Sequence, residues 1–200
     1  MHALILAGGP GSRLGMGEKP LVLVDGTPMI LSVIDAFRAA GCEVTVILTR
    51  KTPYTHTWCR AQGIPHYTAS GNGYIEDIIE SVGILDISGP FFTSVADLPL
   101  LGADLIRDIL DVYRKSGKPA LSTWVPKSIA EECGSRIPYV ENVGGVEACP
   151  AGINILRGDQ VGSPQEEERI LIHDPRLAYN VNTREALAQA LFMKSCNKQG

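Results

Sequence analysis

Short apolar runs alternate with amphipathic stretches along most of this chain, and the alternation predicts strands and helices in turn. His2–Ala7 has the length and apolar character of an interior strand. Pro28–Ala40 places Met29, Ile30, Val33, Ile34 and Phe37 on one helical face, with Thr27-Pro28 as its start signal and Gly41 as its stop. Glu43–Thr49 is β-rich, His56–Gln62 reads as a helix ended by Gly63, and His66–Thr68 as a short strand. Tyr74–Leu85 is helical, Pro90–Ala96 a buried strand, Ala103–Lys115 an amphipathic helix and Pro119–Val125 a strand. The rhythm then breaks: 126–147 is rich in Gly, Pro and Glu and predicts an irregular insertion over the active face. Cys149–Leu156 resumes as a strand, Pro164–Ile170 reads as a short charged helix, Tyr179–Val181 as a last strand and Thr183–Met193 as a closing helix. The tail 194–200 is polar and expected to fray. This alternation implies an α/β chain: a mostly parallel sheet with helices on both faces, in one domain.

Between the first strand and the first helix lies the most unusual composition. Gly8-Gly9-Pro10-Gly11-Ser12-Arg13-Leu14-Gly15-Met16-Gly17-Glu18-Lys19-Pro20 holds five glycines in ten residues, with Arg13 and Lys19 as fixed cations. Glycines let backbone N–H groups crowd around an anion, so the loop is suited to phosphates. Two familiar phosphate loops fit poorly. A P-loop needs Lys directly after its last Gly and then Ser or Thr, whereas Glu18 separates Gly17 from Lys19 and Pro20 follows. A dinucleotide turn must open straight into a helix. Gly9, Gly11 and Gly15 and the later Arg50 approximate that pattern, but no helix begins there: Lys19–Val24 is another apolar stretch, and Asp25-Gly26 is a turn signal.

The string Leu6-Ala7-Gly8-Gly9-x-Gly11-Ser12-Arg13-Leu14-Gly15, followed by Lys19-Pro20-Leu21, resembles the signature loop of the GT-A-like, MobA-like nucleotidyltransferases. That superfamily includes sugar-nucleotide pyrophosphorylases and the guanylyltransferases of molybdenum-cofactor and corrinoid metabolism. The resemblance implies a Rossmann-like fold and nucleotide binding by Leu6, Ala7, Gly8, Gly9, Gly11, Ser12, Arg13 and Lys19.

Three other clusters carry candidate chemistry. Asp97 ends a strand in Ala96-Asp97-Leu98-Pro99, where a carboxylate can hold Mg²⁺ if the strand neighbours the loop. Asn180-Val181-Asn182-Thr183 offers Asn182 as a helix cap, with Glu185 three residues on, and the resemblance adds a place near metal and triphosphate. Ser70–Asp77 is a glycine-containing turn entering a helix, in which Gly73 permits close approach. Guanine presents N1–H and N2–H₂ donors, so Glu76, Asp77 or Glu80 can select GTP over ATP; equally, these acids can serve the helix dipole.

Gly73–Asp77, Pro150–Asn154 and Asn180–Thr183 together resemble the corrinoid branch, the adenosylcobinamide-phosphate guanylyltransferases of archaea. That resemblance implies transfer of GMP from GTP to adenosylcobinamide phosphate. Arg13, Lys19 and Asp97 would be catalytic, with Mg²⁺ on Asp97 and Asn182 as a further contact. Gly152, Asn154, Asn180 and Asn182 would lie on the acceptor side, and a homodimer is an allowed assembly. A molybdenum-cofactor guanylyltransferase is the alternative, and Pro99 leans toward it. An NADP-dependent oxidoreductase or a non-catalytic GTP-binding module would be the readings from other classes.

Composition narrows the partners. The net charge of −4 argues against non-specific nucleic-acid binding. Cys42, Cys59, Cys133, Cys149 and Cys196 are scattered without a Cys-x-x-Cys pair, which predicts neither a zinc site nor a disulfide framework. No basic leader or membrane-length apolar run is visible, so a cytoplasmic protein is expected.

Overall fold

The computed structural model describes residues 1–9, 15–135, 137 and 139–196. Its strands are β1 (His2–Leu6), β2 (Leu23–Val24), β3 (Thr27–Pro28), β4 (Glu43–Leu48), β5 (His66–Thr68), β6 (Pro90–Val95), β7 (Ala120–Pro126), β8 (Glu141–Val143), β9 (Val146–Arg157) and β10 (Glu167–Leu171). Its α-helices are α1 (Met29–Ala39), α2 (Pro53–Ala61), α3 (Tyr74–Ile84), α4 (Ala103–Ser116), α5 (Lys127–Glu132), α6 (Pro175–Ala178) and α7 (Arg184–Cys196). The main sheet has the order β10-β7-β9-β6-β1-β4-β5, with β8 paired to β9, and β2 and β3 form a small separate hairpin. Pairings β1–β4, β1–β6, β4–β5 and β7–β10 are parallel; only β9 runs against its neighbours β6, β7 and β8.

Period-two burial explains why the interior strands are apolar throughout. In β1, Ala3 and Ile5 face the larger core with α1, α4 and α7, whereas Leu4 faces a smaller core with Ile78 and Val82 of α3. Phe37 of α1 meets Phe92 of β6 edge to face at 5.3 Å between ring centroids. Helices therefore cover both faces, as the alternation predicts. Cys42, Cys59, Cys133 and Cys149 are free and buried, and burial pushes the Cys59 thiol up to about 11.

Three expectations need correction. The segment 164–170 is not a helix: Glu167–Leu171 is edge strand β10, parallel to β7. Alternation wins over the helical preference of glutamate, because Ile170 packs toward the large core and Leu171 toward Trp124 on the other face. Its charges are spent at the edge, with Arg169 paired to Glu167 and Glu141 and Lys118 to Glu168. The segment 126–147 is not irregular throughout, since it contains α5 and a β8–β9 hairpin turning at Gly144-Gly145.

Tyr179–Val181 is not a strand. Asp174 caps α6 by accepting from the Arg176 amide at 2.9 Å, with Pro175 at the first helical position. The chain then leaves α6 as a loop in which the Val181 amide donates to the Asp97 carbonyl at 3.1 Å. Helix α7 continues to Cys196, past the expected start of fraying, and 197–200 lie outside the described residues.

Candidate active site at the carboxyl edge of the sheet

Register aligns Leu6 of β1 with Ile47 of β4 and Val95 of β6, so the segments that follow these three strands emerge side by side. They enclose a cavity of about 550 Å³. Gly8, Gly9, Lys19, Asp97 and Asn182 line it together with Ile47, Thr49, Gly71, Gly73, Tyr74 and Asp77.

Gly8 is required by close packing. A Cβ there would stand 2.4 Å from Cγ2 of Thr49, whose hydroxyl donates to the Gly8 carbonyl at 2.7 Å. This contact seals the wall between the first loop and the segment after β4. The expected ligands Pro10, Gly11, Ser12, Arg13 and Leu14 lie outside the described residues.

Lys19 sits in a single 3₁₀ turn and reaches across the cavity floor. Its ammonium is paired with Asp97 and donates to Asn182 Oδ1 at 2.6 Å. Asp97 is only 9% exposed, and its Oδ1 is buried with no hydrogen-bond partner among the described residues. An unpartnered carboxylate oxygen in such a place is costly unless a ligand completes it. Among the described residues no group of three or more His, Cys, Asp or Glu is placed to hold a metal ion.

The cap role expected for Asn182 belongs to Thr183, whose hydroxyl accepts from the Ala186 amide at 3.1 Å. Asn182 is thereby released toward Lys19, and its amide donates to Asn180 Oδ1 at 2.6 Å. Asn180 supports Asn182 from outside the cavity lining.

The three carboxylates of α3 are not equivalent. Glu80 accepts from the Tyr67 hydroxyl at 2.6 Å and from the Ser70 amide, which hold its carboxyl below the usual range. Glu76 is exposed and folds back over Gly73. Asp77 alone lines the cavity; its Oδ1 accepts from the Gly71 amide at 2.9 Å.

Sequence reasoning missed Tyr74, Thr49 and Lys51 as lining residues. The hydroxyl of Tyr74 reaches toward Thr93 and Asp97; desolvation of that hydroxyl pushes the phenol up, against a smaller pull from the Thr93 hydrogen bond and with a still smaller push from the Asp97 charge. An aromatic residue directly after the Gly71–Gly73 turn was the available signal.

Gly152 and Asn154 stand on β9, the strand next to β6 in the sheet, outside the cavity lining. Asn154 Nδ2 donates to the Thr93 hydroxyl at 3.4 Å. Gly152 has φ of +83°, and a Cβ there would lie 2.7 Å from Cγ2 of Val95, a lining residue. Gly152→Ala is expected to cost about 1–3 kcal/mol of stability from left-handed strain and overpacking, measurable by urea unfolding.

Comparison with known proteins supplies the family. The MobA-like NTP transferase domain matches residues 3–191. The chain belongs to this family. This MobA-like transferase is 32% identical over 210 residues to the adenosylcobinamide-phosphate guanylyltransferase of Methanocaldococcus jannaschii, covering 97% of this chain and 98% of that protein. It also shares its fold with a CMP:2-keto-3-deoxy-manno-octonic acid synthetase complexed with CTP, at a TM-score of 0.72 and 18% identity over 98% of each chain. A putative glucose-1-phosphate thymidylyltransferase from Bacillus anthracis gives a TM-score of 0.73 at 13% identity over 96% of this chain and 94% of the other. The MobA-like transferase is therefore an α/β nucleotidyltransferase whose substrate is a nucleoside triphosphate. Among the described residues no helix is long and apolar enough to cross a membrane.

Proposed function

We propose that this transferase moves GMP from GTP to adenosylcobinamide phosphate, giving adenosylcobinamide-GDP and pyrophosphate. The observation that carries the reaction type is the Lys19–Asp97–Asn182 cluster at one end of the cavity, beside Gly8 and Gly9. The acceptor rests on the end-to-end relation to the guanylyltransferase of M. jannaschii.

The chemistry asks for charge neutralisation and alignment. An oxygen of the acceptor phosphate attacks the α-phosphorus in line, the bond to the α–β bridging oxygen breaks, and pyrophosphate leaves with that electron pair. The attacking phosphate is already ionised at neutral pH, so no general base is needed. Lys19, with Arg13, stabilises the charge that builds on the leaving pyrophosphate. Asp97 fits Mg²⁺, because its orphaned oxygen is a hard donor and the remaining positions can be filled by waters and phosphate oxygens. When bound, the ion neutralises phosphate charge. Asn182, braced by Asn180, steadies the same end, and the acceptor side is assigned to Gly152 and Asn154 from the resemblance.

Asp77 reads the base. With Oδ1 held by Gly71, its second oxygen is left for the N1–H and N2–H₂ donors of guanine. Asp77→Asn is expected to lower kcat/KM for GTP on the order of 10–100-fold and to narrow the preference over ATP, read by parallel kinetics with both nucleotides. The whole chain acts as one catalytic unit in the cytoplasm on small-molecule substrates, with a homodimer as the assembly the resemblance suggests.

The decisive assay is pyrophosphate release from GTP, ATP and CTP with adenosylcobinamide phosphate, run beside molybdopterin. Release with GTP and the corrinoid alone supports the proposal. Release only with molybdopterin moves the enzyme to the other guanylyltransferase reaction.

A further inference from the structure

Glu18 immediately precedes Lys19, yet its side chain serves a different element. Oε1 accepts from the Tyr54 amide at 2.8 Å. Oε2 accepts from the Thr55 amide at 2.7 Å and the Thr55 hydroxyl at 2.6 Å. Both carboxylate oxygens are thus engaged at the first turn of α2, and the residue is 9% exposed. The residue at the local cap position, Thr52, makes no side-chain cap; its hydroxyl donates to the Thr49 carbonyl at 3.2 Å instead. The first-turn N–H groups of α2 therefore depend on a carboxylate some 36 residues earlier in the chain.

The segment leading into α2 starts at Thr49, which lines the cavity and is tied to Gly8. Glu18 thus forms a second tie between the first loop, near its end, and the segment that follows β4. On the other side of Lys19 stands Pro20, which is buried and lines the cavity. The backbone of Lys19 is held between these two anchors, and its side chain meets Asp97 and Asn182.

We propose that Glu18 is a positioning residue for Lys19, converting the cap of α2 into a fixed origin for the catalytic ammonium. The proposal rests on the reading that Lys19 acts on the triphosphate. A long flexible amine loses much of its value in the transition state if its stem is free to wander. Charge-assisted hydrogen bonds to a helix terminus are directional enough to hold it.

The test is a double-mutant cycle, measured as pyrophosphate release below the melting temperature of every variant. It uses Glu18→Gln, Thr55→Val, Lys19→Ala and the doubles of the first two with the third. Glu18→Gln is expected to lower kcat on the order of tenfold while the KM for the nucleotide changes less than about threefold. Thr55→Val, which removes one contact and keeps Glu18, should give a smaller loss in the same parameter. In the Lys19→Ala background both further losses should shrink below about twofold, because the group being positioned is gone. Equal fold losses in the two backgrounds would show Glu18 to be a structural cap only, and overturn the proposal while leaving the role of Lys19 intact. Wild-type turnover in Lys19→Ala alone would overturn both.

Discussion

Lys19→Ala is expected to lower kcat by on the order of 10²-fold or more while the protein stays folded. The ammonium is the described cation that touches both Asp97 and Asn182 in the cavity. In the proposed reaction its charge counts most when the leaving pyrophosphate gains electrons, so kcat should fall more than nucleotide affinity. Removing it also leaves Asp97 buried without that partner, which predicts a modest fall in melting temperature as well. Steady-state pyrophosphate release, nucleotide binding by calorimetry and thermal unfolding separate the three effects. Turnover within about twofold of wild type would remove Lys19 from the chemistry.

Asp97→Asn should produce a loss of similar order with a different signature. The substitution keeps size and one acceptor oxygen but removes the charge that would hold a divalent cation in the proposed reaction. The Mg²⁺ concentration for half-maximal activity should rise on the order of tenfold or more, and kcat at saturating metal should still fall on the order of 10²-fold. The measurement is activity against free Mg²⁺ for both proteins, after chelator treatment. An unchanged metal titration would place the ion elsewhere; activity indifferent to chelator would refute a metal role. Asp97→Asn should also leave Lys19 facing a neutral amide, so its effect and that of Lys19→Ala should not add.

Much of the site was legible because strand ends and loops share a grammar. Ala7, Gly8 and Gly9 follow an apolar run, Asp97 follows another, and the parallel register sets the two runs side by side. That adjacency was a condition in the sequence reading, and the β1–β6 pairing meets it. The narrowing of three candidate carboxylates to Asp77 was not legible. It depends on Tyr67 and Ser70 occupying Glu80, a contact between β5 and α3 that no spacing announces. Glu18 was hidden for the same reason, since its partners lie far along the chain. The errors in secondary structure cluster after residue 126. There, local propensity competes with an edge position: three successive glutamates suggest a helix, but pairing with β7 and two-sided packing of Ile170 and Leu171 make a strand. Tyr179–Val181 failed in the opposite sense, because Val181 gives its amide to Asp97 rather than to a neighbouring strand.

The position of β9 has a consequence for how the molecule comes into being. It lies between β6 and β7 in the sheet although it follows both in sequence. Strands β1, β4, β5 and β6 can pair as soon as they are synthesised, but β7 finds no partner among them. It must wait for β9 to arrive, and β10 must wait for β7. Until then β6 presents an open, apolar edge of the kind that invites pairing with another chain. Closure of that edge brings Gly152 against Val95, a residue of the cavity lining. A nascent chain halted before β9 would therefore expose the β6 edge and also lack Asn182, a lining residue that follows β9 in sequence.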